Sequence, residues 1–152
     1  MLFPMPRFLV SVLIIGFAMV VGAPHALAVD TVHRVVMHLD DNDPERMNLV
    51  LNNAANVSKY YQEQGEEVEI EIVAYGPGLH MLRADTSPVK ERIMGFPDNF
   101  DTVTFRACGN THSKMSAKAG KEVELLPQAT MVPSGVIHLI QRQEEGWAYV
   151  RP

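Results

Sequence analysis

The chain has 152 residues, 47% of them hydrophobic, and a formal net charge of −5. No basic patch stands out to meet phosphates, which argues against a nucleic-acid partner. A single cysteine excludes an internal disulfide framework; in an oxidising compartment such a thiol is buried and inert, paired between chains, or kept for reactivity.

The first stretch, MLFPMPRFLVSVLIIGFAMVVGAPHALA, has the parts of a secretory signal. Arg7 supplies the positive charge, Phe8 to Val21 form the apolar run, and Ala26-Leu27-Ala28 is an A-x-A cleavage site. The run is short for a membrane span of roughly 20 residues. Cleavage after Ala28 is expected, which leaves residues 29–152 as one periplasmic or secreted domain with no membrane attachment.

Val32 to Leu39 predicts a first strand, followed by an acidic turn, Asp40-Asp41-Asn42-Asp43. Pro44 fits the first position of a helix capped by Asp43. Met47, Val50, Leu51, Ala54, Val57 and Tyr61 recur at spacings of three and four, so the helix is amphipathic and ends near Gly65. The Asn56-Val57-Ser58 sequon falls on its surface without evident purpose. Val68 to Tyr75 predicts the second strand, broken by Gly76-Pro77-Gly78, with a short helix starting over Leu79 to Arg83. Ser87 to Met94 reads as another short helix capped by Ser87. Thr102 to Ala107 predicts the third strand, and Asn110 caps a helix reaching Lys118. A fourth strand is expected within Glu124 to Val132. Pro133-Ser134-Gly135 opens a last helix with Val136, Leu139, Ile140 and Gln143 on one face, and Trp147 to Val150 predicts a fifth strand. This alternation predicts an α/β fold, a three-layer sandwich with about five mainly parallel strands.

In open parallel sheets ligands bind beyond the carboxyl ends of the strands. That rule gathers His38, then Gly76, Gly78 and His80, then Cys108, Gly109, Asn110 and His112, then Ser134. Cys108 sits between a strand end and a helix N-terminus, where free amides favour a thiolate. Arg106, two residues back, and His112, one helical turn on, are candidate cations to lower its pKa further. The alternative is a buried cysteine acting as a small hydrophobe. No His-x3-His or Cys-x2-Cys pair marks a metal site, although His38, His80, Cys108 and His112 are ligand types. His33 and His138 read as packing or surface residues.

Other familiar sites are absent from the pattern. There is no C-x-x-C dithiol. The turn after the first strand carries three aspartates and no glycine, which repels a flavin phosphate, and its spacing does not suit calcium. Gly76-Pro77-Gly78 lacks the rest of a dinucleotide fingerprint. No cofactor is therefore expected, and Ser134 reads as a helix cap rather than a nucleophile.

The segments HRVVMHLDD, VEIEIVAYGPGLHML, FRACGNT and VPSGVIHLIQRQEEGWAYVRP together resemble the DsrE/DsrF-like (YchN-like) family, in its exported branch. The resemblance covers about Val32 to Pro152. It implies a five-stranded parallel sheet of flavodoxin-like order and assembly into trimers or hexamers. It also implies a sulfur relay, in which a cysteine after the third strand, here Cys108, carries sulfane sulfur as a persulfide. Carried over, the Cys108 thiolate attacks a donor persulfide and delivers the sulfur to an acceptor thiol. Arg106 and the Asn110 helix end would stabilise the anion, and His112 would move a proton. The partner would be a small sulfur-containing ligand or a thiol protein.

Two other readings stand beside this one. The first is a non-enzymatic oligomeric module that binds a small ligand while Cys108 only packs. The second is a metal carrier using His80, Cys108 and His112. Assembly through the last helix and strand predicts a Trp147 shielded from solvent.

Overall fold

The computed structural model describes residues 32–152; the expected signal segment and its cleavage site lie outside them. Strand β1 (His33–Leu39) leads into helix α1 (Pro44–Gln64), whose first turn is held by the Asp43 carboxylate accepting from the Glu45 amide at 2.9 Å. Gly65, at φ 72°, ends the helix in the left-handed region. Strand β2 (Val68–Ala74) gives way to a 3-10 segment, Gly76–Leu82. Two short helices follow, α2 (Lys90–Met94) and α3 (Phe96–Asn99). The expected helix from Ser87 is thus shorter and starts later; the Ser87 hydroxyl donates to the Met81 carbonyl and accepts from the Val89 amide at 3.4 Å. Strand β3 (Val103–Cys108) runs directly into α4 (Gly109–Ala119), then β4 (Ala129–Val132), α5 (Gly135–Glu144) and β5 (Ala148–Val150).

The five strands are all parallel, in the order β4-β3-β2-β1-β5. The architecture is the expected flavodoxin-like α/β type, but the order differs from flavodoxin's own 2-1-3-4-5. Strands β1 to β4 step in one direction, and the chain then crosses back to lay β5 beside β1. Right-handed crossovers therefore put α1 to α4 on one face of the sheet and α5 alone on the other.

Strand alternation follows this division. Met37, Ile72 and Phe105 face the populated side and are buried with Met47, Leu51, Leu79, Met81 and Ile93 in the main core. Burying each such side chain stabilises the fold by about 1.5–3 kcal/mol. The opposite face carries a much smaller cluster, in which Val36 and Val73 meet Leu139 of α5 and Trp147. Only Gly135 and Leu139 of α5 are buried, whereas Val136, Ile137 and Ile140 are 47%, 52% and 45% exposed. The sequence grouped Val136, Leu139 and Ile140 on one face; the structure turns Leu139 inward and leaves the other two in solvent.

Polar residues hold α5 down instead. Glu71, only 3% exposed, accepts from Arg106 Nε at 2.8 Å and from Arg142 Nε at 2.9 Å, and its carboxylate lies 2.6 Å from His138 Nε2. Burial pushes the Glu71 pKa up, but Arg142, His138 and Arg106 outweigh it and hold the carboxyl below its ordinary value. The Arg142 guanidinium also lies 4.8 Å over the Trp147 ring. Trp147 is thus 9% exposed within a single chain, so its shielding does not report on assembly.

Candidate functional site around Cys108

Cys108 ends β3 and occupies the N-cap position of α4. Asn110 therefore lies inside the helix rather than capping it, and its amide reaches the Pro133 carbonyl at 3.2 Å. The thiol shares a strand face with Arg106 and points toward α5. A Cβ built on Gly135 would come within 2.9 Å of Tyr75 Cβ and 3.3 Å of Cys108 Cβ. Only glycine lets the start of α5 rest this closely on the thiol.

Cys108 is 4% exposed. Burial pushes its pKa up, yet the Thr111 hydroxyl and the amides of Gly135, Thr111 and Asn110 outweigh burial and bring the pKa below the ordinary thiol value. Thr111 is itself fixed, because its hydroxyl oxygen accepts from the Gly76 amide at 2.9 Å. The amino ends of α4 and α5 thus both lie against Cys108.

The expected cations act elsewhere. Arg106 is held in the Glu71 network, with Nη2 2.6 Å from the carboxylate. His112 turns its Nε2 to the Val123 carbonyl at 2.7 Å and lines a separate cavity with Glu122 to Leu126. Ser134 stands at the N-cap of α5 without a side-chain cap bond, which corrects the capping role expected of it. Gly109 and Gly78 serve close packing: an added Cβ would meet the Val132 carbonyl oxygen at 3.1 Å and the Leu39 carbonyl oxygen at 2.4 Å.

His38 lies at the end of β1, 7% exposed, stacked on Tyr75 at 4.8 Å, with Nδ1 2.7 Å from the Tyr149 hydroxyl. Its Nε2 is 3.5 Å from Asp40, but the alignment makes no hydrogen bond. The Asp40 carboxylate is occupied by Arg151 at 3.0 and 3.1 Å. Burial is the main reason the His38 pKa falls below its ordinary value, with Asp40 opposing and Arg151 assisting. Tyr75 bridges this group to the thiol, and burial, Asp40, Tyr149 and Cys108 raise its pKa.

Gly76 and His80 line an open cleft of about 670 Å³ between the 3-10 segment and α4, into which Thr111 also faces. His80, His112 and Cys108 are therefore on different surfaces, and among the described residues no group of three or more His, Cys, Asp or Glu side chains could hold a metal ion. No helix of the described residues is long and apolar enough to cross a membrane.

Thr111, Tyr75, Tyr149 and Glu71 were not singled out in the sequence. Thr111 carries a usable signal: it stands three residues after an N-cap, the position from which a side chain reaches back to the cap.

No protein-family model and no curated protein matches the chain. Among solved structures, it is similar to a protein of unknown function, MTH1491 from Methanobacterium thermoautotrophicum. The two are 37% identical and superpose with a TM-score of 0.67, over 79% of this chain and 99% of the other. The chain accordingly belongs to the same family as MTH1491.

Proposed function

We propose that this is an exported DsrE/DsrF-like protein that carries sulfane sulfur on Cys108. The observation that supports this most is the place of Cys108 at the N-cap of α4 with the start of α5 packed against it at Gly135, an environment in which the Thr111 hydroxyl and nearby amides lower the thiol's pKa. These groups favour an anion at a position where simple packing would favour a neutral thiol. In the proposed step the Cys108 thiolate attacks the outer sulfur of a donor persulfide. The donor S–S bond breaks, its electron pair leaves with the donor thiolate, and Cys108 becomes a persulfide. An acceptor thiolate then attacks the outer sulfur and releases the Cys108 thiolate, so no external oxidant or reductant is needed. Both ends of the exchange are anionic sulfur, which the amino ends of the two helices favour.

Polysulfide treatment of the mature protein followed by intact mass spectrometry tests this reading. A gain of about 32 Da per added sulfur, confined to Cys108 and reversed by a thiol, is the expected result. No adduct on the folded protein would reject it.

A second reading, an oligomeric ligand-binding module, is favoured by the 4% exposure of Cys108 and by the exposed apolar residues Val136, Ile137 and Ile140 of α5, with Tyr149 of β5 on the same face of the sheet. Under that reading Cys108→Ser leaves ligand binding and assembly unchanged. We propose assembly through this apolar face as a trimer or hexamer under either reading.

A further inference from the structure

Helix α4 is unusual in burying no residue along its 11 positions. Its Thr111, Lys114, Met115 and Lys118 recur at spacings that put them on one side of a helix, and all four line the cleft of about 670 Å³ facing the 3-10 segment. This side of α4 meets the body of the protein through Met115, which packs against the main core, and Thr111, and beyond them it borders the cleft. A volume of this size suits a small molecule.

The charges in the cleft have one sign. Lys114, Lys118 and Arg83 line it together with His80 and Asn42, and among the described residues none that lines it is acidic. This holds in a protein whose formal net charge is −5. Arg83 is already paired with Asp85 at 2.7 Å. Lys114 and Lys118 have no carboxylate partner among the ion pairs of the described residues. A like-charged pair four residues apart weakens a helix, and a bound anion relieves that repulsion. Pro77, Met115 and Ala119 add an apolar wall. The cleft also lies near the thiol, because Thr111, which lines it, is in the first turn of the helix that Cys108 caps.

We infer that this cleft binds a small organic anion with an apolar body, of the class of a carboxylate-bearing low-molecular-weight thiol or its persulfide. The binding site stands independently of Cys108 chemistry; identifying the anion as the sulfur-exchange partner of Cys108 rests on the function proposed above.

The test is calorimetric titration of the mature protein with S-methylglutathione, which carries carboxylates and no free thiol. The proteins compared are the wild type, the double variant Lys114→Gln/Lys118→Gln and Lys121→Gln. Saturable binding that weakens roughly tenfold in the double variant and falls with added salt is expected. Lys121→Gln, outside the cleft, should bind as the wild type does. Absence of saturable binding, or affinity unchanged in the double variant, overturns the inference. Equal competition by inorganic sulfate overturns the organic class. Sulfur uptake by Cys108 without anion binding would reject this site alone; anion binding without sulfur uptake would reject only the sulfur-carrying role.

Discussion

Replacing Glu71 by Gln should be among the most destabilising single changes that preserve side-chain shape. The carboxylate is 3% exposed and is the common partner of Arg106, His138 and Arg142. Removing one member of a buried pair typically costs about 3–5 kcal/mol, because the remaining charge is left uncompensated. The Arg106 and Arg142 side chains keep 22% and 25% exposure, so water offsets part of that loss. About 3 kcal/mol, the low end of the same range, is therefore expected. With a urea dependence of roughly 1–3 kcal/mol per molar, the unfolding midpoint should fall by about 1–3 M. Glu69→Gln is the control, since Glu69 and its partner Arg34 are both about half exposed and such pairs contribute about 0–1 kcal/mol. Acid should narrow the difference. Glu71 has a lowered pKa in the fold, so its contribution is full above the ordinary carboxylate pKa and is lost as pH falls through the lowered one. Equal midpoints for the two variants at neutral pH, or a Glu71→Gln deficit that does not shrink in acid, would refute the reasoning.

Gly78→Ala should fail to fold or melt far below the wild type: its Cβ would lie 2.4 Å from the Leu39 carbonyl oxygen and 2.9 Å from the Asp40 nitrogen. Both are backbone atoms that cannot swing aside, so the loss should reach or exceed the ~3 kcal/mol upper end of ordinary overpacking. Thr111→Val should raise the Cys108 pKa and cost about 1–3 kcal/mol by stranding the Gly76 amide, read from alkylation pH profiles and thermal melts. Asp43→Ala should cost about 1 kcal/mol through loss of the α1 cap, seen as a lower melting temperature without change at Cys108.

The architecture was legible because period and punctuation agree. The Met47-to-Tyr61 stripe, Pro44 after Asp43 and Gly65 at φ 72° fix α1 almost to the residue. Strands β1, β2 and β3 came within two residues at each end, as apolar runs bounded by turn signals. Strand β4 lies within the expected Glu124 to Val132, as Ala129–Val132, the part that pairs with β3. The position of Cys108 at a strand end was equally readable, but its partners were not. Arg106 and His112 are near it in sequence, and tertiary contacts with Glu71 and Val123 take them away. Gly135, nearly thirty positions on, reaches the thiol only because β4 and β3 are neighbours. Glu71 carried no signal in the sequence; its carboxylate is buried against His138 and Arg142, which α5 supplies four residues apart.

The most direct test of the central claim is the pH dependence of Cys108 alkylation in the folded protein. A midpoint below that of an ordinary thiol, lost in Thr111→Val, is the predicted result. A thiol that reacts only after unfolding, or titrates at or above the ordinary value when folded, would contradict the claim that Cys108 is held as an exchangeable anion.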